Sequence, residues 1–226
     1  PQYEWGARGE FAMGQRDKRE YELMLTGPIW DEKLSFRVAG SYREEDGHTD
    51  NLFNPEDRIG DKETTHIRAK LQLDATDNLT FVLSGVYFDY YIGQWAATEA
   101  SFVQPEWDAI FKLQDPNFEA NLDRRGSRRD LASSDGDGYI VSFEGKLDLW
   151  DHQFNMVTSY SDYGDISGGD LDGTAFPLIE FGFNNEYWQF TQEFRVASPP
   201  GDIEYVAENA SDFEAASLLL QNMTPE

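Results

Sequence analysis

Apolar and polar residues alternate along much of the chain. In residues 33–42, Leu34, Phe36 and Val38 stand against Ser35, Arg37 and Ala39. A period of two marks a β-strand with one apolar and one polar face. The same pattern returns in residues 3–13, where Tyr3, Trp5, Ala7, Gly9, Phe11 and Met13 oppose Glu4, Gly6, Arg8 and Glu10. It returns at Tyr21, Leu23 and Leu25 against Glu20 and Glu22. Residues 65–73 set Ile67, Ala69, Leu71 and Leu73 against His66, Arg68, Lys70 and Gln72. Residues 139–149 set Tyr139, Val141, Phe143, Leu147 and Leu149 against Ser142, Glu144, Lys146 and Asp148. Residues 188–196 set Trp188, Phe190, Phe194 and Val196 against Gln189, Thr191, Glu193 and Arg195. Residues 79–88 are less regular, with Val82 and Val86 on the polar parity, and residues 154–163 less regular still.

The connections between these strands alternate in length. Residues 14–19, 27–32, 75–78, 150–153 and 198–201 are short; residues 43–63, 92–138 and 164–185 are long. From Gly27 onward, tight turns therefore fall at one end of the sheet and long loops at the other. This predicts an all-β antiparallel meander of the outer-membrane barrel type, with short periplasmic turns and long extracellular loops. A soluble sandwich does not usually segregate its connections in this way. Aromatic residues follow the same axis. Tyr3, Trp5, Trp30 and Trp150 lie near the short turns. Tyr42, Tyr87, Tyr90, Tyr91, Tyr139, Tyr160, Tyr163, Tyr187 and Trp188 lie near the long loops. Two girdles of amphipathic rings are expected at the two lipid–water interfaces; a plainer reading is that such rings favour strand ends. With the apolar parity toward lipid, Arg37, Arg68, Lys70, Glu144, Lys146, Glu193 and Arg195 line a polar lumen. Glu193 and Arg195, two apart on one strand face, read as an ion pair of that lining.

Composition trims the alternatives. The chain has 226 residues, 43 acidic and 18 basic, for a formal charge of −25. Such acidity argues against a nucleic-acid partner. Disorder is opposed by the 15% aromatic content. The absence of cysteine removes disulfides and thiolate metal sites. No apolar run approaches the length of a transmembrane helix, which says nothing against a barrel of strands. The chain begins at Pro1 without a signal peptide, and the expectation is a processed or partial product.

Three stretches resemble one known family. "TGPIWDEKLSFRVAGSYREEDGHTDN" resembles the segment of TonB-dependent outer-membrane receptors in which a Gly-Pro turn precedes a strand with an internal Arg, then a Gly-containing loop and an Asn. "IRAKLQLDATDNLTFVLSGVYFDY" resembles the hairpin that follows. "QFTQEFRVASPPGDIEYVA" resembles the family's S-Q-E-x-R-x-x-S strand and turn, through Thr191, Gln192, Glu193, Arg195 and Ser198. The resemblance implies a large barrel with an N-terminal plug, placed in the bacterial outer membrane. It implies uptake of a scarce nutrient, such as an iron–siderophore, driven through TonB. This chain departs from the family in offering about eight or nine strands against about 22, and no plug-like stretch. Residues 1–207 are expected to form a partial barrel, completed by further strands or a partner chain. Residues 208–226 read as a short helix capped by Ser211 or Asp212.

Site chemistry is sparse. "SSDGDGY" and "DYGDISGGDLDGT" place acids among glycines, and Asp165, Asp170 and Asp172 are candidate calcium ligands. The spacing is not that of an EF-hand, and Asp-Gly clusters are also ordinary turns. His48, His66 and His152 are scattered, which argues against zinc. No nucleophile motif or phosphate loop is present, so no enzymatic activity and no other cofactor are expected. The Asn78, Asn209 and Asn222 sequons are expected to be chance matches. In the longest loop, Trp95 and Trp107 with Arg124, Arg125, Arg128 and Arg129 are candidates for contact with a small anionic ligand or lipopolysaccharide phosphate; compensation of nearby acids is the alternative. Two other readings stay open: a complete small barrel with an adhesive or structural role, and a secreted acidic β-protein binding carbohydrate or calcium.

Overall fold

The computed structural model describes residues 3–51, 54–56, 58–93, 109–110, 112–113, 116, 125–126, 133–170, 180–200 and 204–221. The strands are β1 (Gly6–Met13), β2 (Arg19–Trp30), β3 (Leu34–Glu45), β4 (Thr49–Asn51), β5 (Arg58–Ile59), β6 (Lys62–Thr76), β7 (Leu79–Gly93), β8 (Arg125–Gly126), β9 (Ser133–Leu149), β10 (His152–Asp170), β11 (Glu180–Ala197) and β12 (Val206–Gln221). Nine of them form one sheet in the order β1-β2-β3-β6-β7-β9-β10-β11-β12. All neighbours are antiparallel, so the sheet is the expected meander. Its edges are β1 and β12, each paired on one side.

Register carries the two parities across the whole sheet. Leu25, Val38, Ala69, Gly85, Val141, Tyr160, Phe190 and Phe213 form one continuous row on the apolar face. Arg37, Lys70, Ser84, Ser142, Ser159 and Thr191 form a row on the polar face. Neither face is covered. Leu23 is 70% exposed and Phe194 51%, and among the described residues Ile59, outside the main sheet, is the one buried hydrophobic side chain. A soluble sandwich would have packed the apolar face against a second layer. A face this apolar and this bare needs a lipid solvent instead.

The tight-turn end is built from short-range chemistry. Trp150 and Asp151 both have positive φ, 53° and 59°, and join β9 to β10 in a two-residue turn whose twist matches the strands. Trp150 itself stays 78% exposed. Trp5 lies across Gly27, where a Cβ would come within 2.6 Å of the indole, and meets Phe36 edge-on at 5.7 Å. Tyr3 reaches the polar face at the same end and donates to the Asp74 carboxylate, which also accepts from Thr80 (2.8 Å) and Gln72 (3.2 Å). Burial beside that carboxylate pushes the Tyr3 hydroxyl above its ordinary range.

At the opposite end a second sheet, β5-β4-β8, joins two loops that are far apart in sequence. Asp50 pairs with Arg58 on one side and Arg125 on the other. Thr49 and Asn51 of β4 and Ile59 of β5 are themselves buried. Gly47 is required there, because a Cβ would fall 2.6 Å from the Ile59 carbonyl oxygen.

Two expectations need correction. The helix expected in residues 208–226 is strand β12, paired with β11 from Val206 opposite Ala197 to Gln221 opposite Gly182; residues 222–226 lie outside the described residues. The helix preference of Glu, Ala and Leu is worth a few tenths of a kcal/mol per residue. Leaving the outer edge of β11 unpaired would cost several kcal/mol per polar group in lipid. The sheet thus runs past residue 207, and its last strand has 16 residues, enough to span a bilayer. The second correction concerns residues 133–138, expected to be loop: they open β9. Likewise β10 continues to Asp170 and β11 begins at Glu180, so the strands extend further toward the loops than the alternation suggested.

Candidate functional site

Near the loop end of the polar face, side chains from five strands gather into a shelf. One row runs His66, Phe88, Gly138, Tyr163, Tyr187. The next row toward the loops runs Thr64, Tyr90, Gly136, Asp165, Asn185. The His66 and Phe88 rings lie 6.4 Å apart and the Phe88 and Tyr163 rings 6.1 Å apart, each pair tilted by 34°. Phe88 and Tyr163 belong to β7 and β10, with β9 between them. Two strand spacings are about 9.5 Å, and the rings meet because Gly138 puts nothing in the way. A Cβ at Gly138 would lie 2.7 Å from Phe88 Cζ, and one at Gly136 would lie 2.9 Å from the Tyr90 hydroxyl.

Asp165 anchors the shelf. It is 7% exposed. Its Oδ1 accepts from Asn185 Nδ2 at 2.6 Å, and its Oδ2 from the Tyr90 hydroxyl at 3.3 Å and Ser134 Oγ at 3.5 Å. The Tyr90 and Tyr163 hydroxyls are 2.8 Å apart. With Tyr90 donating to the carboxylate, Tyr163 donates to Tyr90, so the charge orders a chain of three groups across the sheet. Most of the carboxylate's acceptor capacity is thereby used within the protein. Asp165 was expected to help bind calcium with Asp170 and Asp172. Asp170 ends β10 opposite Glu180, and Asp172 lies outside the described residues. No group of three or more metal-competent side chains forms among the described residues.

Further from the loops the same face is charged. Arg195 pairs with Glu193 at 3.0 Å and with Glu208 at 3.2 Å, so the expected Glu193–Arg195 pair forms and gains a partner from β12. Lys146 lies 3.8 Å from Asp148. At the loop-side rim Arg19 meets Glu44 at 2.6 Å, Arg43 meets Glu20 and Glu45, and Arg16 meets Glu45.

Solved structures now give this arrangement a context. It superimposes on the FpvAI–pyocin S2 complex with a TM-score of 0.76, at 13% identity and over 96% of this chain. The ferric yersiniabactin uptake receptor FyuA from Yersinia pestis gives 0.71 at 17% identity over 98%. The outer-membrane ferripyoverdine receptor of Pseudomonas aeruginosa, bound to ferripyoverdine, gives 0.72 at 13% identity over 95%. The fold is that of an outer-membrane receptor barrel. The chain spans 28%, 33% and 28% of those three chains, respectively, so it corresponds to one section of such a wall. No protein-family model and no curated protein matches the sequence.

In a barrel wall the apolar face meets lipid and the polar face the lumen. Arg37, Arg68, Lys70, Glu144, Lys146, Glu193 and Arg195 all stand on the polar face, as their parity required. The aromatic girdle divides in two. Tyr87, Tyr139, Tyr160 and Trp188 are on the apolar parity, with Tyr139 and Tyr160 rings 6.0 Å apart and Tyr160 and Trp188 rings 6.4 Å apart. Tyr90, Tyr163 and Tyr187 belong instead to the shelf of the polar face, and Tyr3 reaches that face at the tight-turn end. Of the loop candidates, Trp95, Trp107, Arg124, Arg128 and Arg129 lie outside the described residues. Arg125 is placed by its backbone beside Asp50.

Proposed function

We propose that this chain is part of the wall of a TonB-dependent outer-membrane receptor that takes up a scarce small ligand, such as an iron–siderophore. The observation that carries the reading is the nine-stranded meander with a bare apolar face and a polar face bearing an aromatic, carboxylate-anchored shelf at the loop end. It is joined by the likeness to receptors whose names include ferric yersiniabactin and ferripyoverdine. Phe88 and Tyr163 offer π-faces to flat parts of a ligand. The Tyr163–Tyr90–Asp165 chain holds two hydroxyls in fixed directions. The lipid bilayer and its lipopolysaccharide, a plug that engages TonB, and the rest of the barrel are the partners this reading requires.

The test is radioiron uptake. The intact protein, expressed in an iron-starved bacterium lacking its own siderophore receptors, should import iron from at least one ferric siderophore, and only when TonB is present. Phe88→Ala combined with Tyr163→Ala should lower apparent affinity for that siderophore about tenfold, from about 0.5–1.5 kcal/mol per lost aromatic contact. A correctly inserted receptor that imports none of a broad siderophore panel would refute the uptake reading.

A further inference from the structure

Along the aromatic row of the shelf, an acid stands next in sequence on each of four strands: Asp89 after Phe88, Asp137 before Gly138, Asp162 before Tyr163 and Glu186 before Tyr187. Neighbours on a strand point to opposite faces, so these carboxylates lie behind the shelf. Asp89 and Asp137 are directly opposite each other on β7 and β9. The sheet is one layer thick, and the four charges set a negative potential over the rings. Asp165 adds a fifth from the polar face itself, one row nearer the loops. The hydroxyls are oriented to match. The Tyr90 proton is committed to Asp165 and the Tyr163 proton to Tyr90. What the two phenol oxygens have left to offer a ligand is lone pairs. On the β10–β11 side the rings of Tyr163 and Tyr187 stand on facing residues, and Phe183 is the next inward residue of β11 beyond Asn185. Arg68 belongs to β6, three strand spacings or about 14 Å from Tyr163 across the sheet.

We propose that the β10–β11 side of the shelf binds an organic cation, an ammonium or guanidinium group carried by the ligand, against the rings of Tyr163 and Tyr187 beside Asp165. This names the chemical class of the ligand, and it rests on reading the polar face as a receptor lumen. The face of an aromatic ring attracts a cation through its quadrupole. The negative potential of the five carboxylates acts on the same charge, and it also draws cations toward the site from solution. A group with N–H donors gains the lone pairs of the phenol oxygens as well. An anion placed there would meet lone pairs and like charge; an uncharged ring would gain only stacking.

The probes are choline and methylguanidine, titrated calorimetrically into the intact protein in nonionic detergent, with uncharged 3,3-dimethylbutan-1-ol as the isostere of choline. At least one cation should bind, more weakly as salt rises, and the alcohol should bind less well than choline. The cation that binds tells the ammonium source from the guanidinium source. Tyr163→Leu with Tyr187→Leu should weaken it by at least about fivefold, the scale of losing two ring faces. Asp165→Asn should weaken it on the order of tenfold at low salt and less at high salt. Asp151→Asn removes one charge at the tight-turn end and should change nothing. Heat-modifiable gel mobility establishes that each variant is folded, and Tyr187→Leu alone gives the ring reading if the double variant fails to fold. Binding of neither cation overturns the proposal. So does an alcohol that binds as tightly as choline, which would mean a merely apolar shelf, or an equal loss from Asp165→Asn and Asp151→Asn, which would mean a diffuse charge effect. Binding that the ring variants leave intact overturns it as well. Radioiron uptake separates this result from the wider reading: siderophore import without cation binding removes the cation site alone, and cation binding without import removes the uptake reading alone.

Discussion

Gly136 and Gly138 of the shelf differ from Gly164, their near neighbour on β10 and on the opposite face of the sheet, in what surrounds them, and that difference can be measured. At Gly138 an added Cβ would meet Phe88 Cζ and the Asp162 carbonyl oxygen, both at 2.7 Å; at Gly136 it would meet Tyr90 and the Gly164 carbonyl oxygen at 2.9 Å. At Gly164 it would meet nothing within 4 Å. Backbone oxygens cannot swing aside, so Gly138→Ala should cost about 1–3 kcal/mol, the range for overpacking. Gly164→Ala should be neutral or slightly stabilising, since alanine lowers the entropy of the unfolded chain. Urea unfolding in lipid vesicles reads both; equal costs at the two sites would mean that ring packing over Gly138 is not what fixes the shelf. The shelf was half legible. Val82 and Val86 broke the polar parity of β7, and Phe88 and Tyr90 continue that break, a sign that the inner face turns apolar there. The glycines were harder to read, because acids beside glycines describe a turn as well as a strand with rings lying across it.

At the scale of the strand, alternation alone placed most of the wall, because one register slip would turn every side chain to the wrong solvent. Phe143 and Glu144 are adjacent on β9 and face opposite ways. Phe143→Arg should cost about 2–4 kcal/mol at the bilayer midplane. Glu144→Gln, which gives up no ion pair among the described residues, should change stability by less than about 0.5 kcal/mol. Vesicle unfolding that penalised both alike would mean the two faces share one environment. Strand β12 escaped the same reading. Its outward side chains include Asn209 and Ser211 beside Ala207 and Phe213, so no apolar stripe announces it. What makes it a strand is the hydrogen-bonding edge of β11, a tertiary demand that a local pattern does not record. The short strands β4, β5 and β8 escaped for a related reason: two or three residues each, paired between separate loops, leave no periodicity to detect.

For the whole molecule the two ends of the sheet must lie on opposite sides of a membrane, and the sequence makes this unusually easy to test. The turn at residues 77–78 closes β6 onto β7, while Glu56 lies in the connection that carries β4 and β5 at the other end. The loop end also gathers the rim ion pairs of Arg16, Arg19 and Arg43 with Glu44, Glu45 and Glu20, charges that a bilayer core would not tolerate. With no native cysteine there is no background thiol to label in this chain. Glu56→Cys and Asp77→Cys both fall on exposed positions, so reactivity reports sidedness and not burial. A membrane-impermeant maleimide added to intact cells should modify Glu56→Cys at once and Asp77→Cys only after the outer membrane is permeabilised. Labelling of both in intact cells would mean that the sheet does not cross the membrane. The reverse pattern would place the aromatic shelf and its loops toward the periplasm, and a receptor cannot capture an external ligand from there.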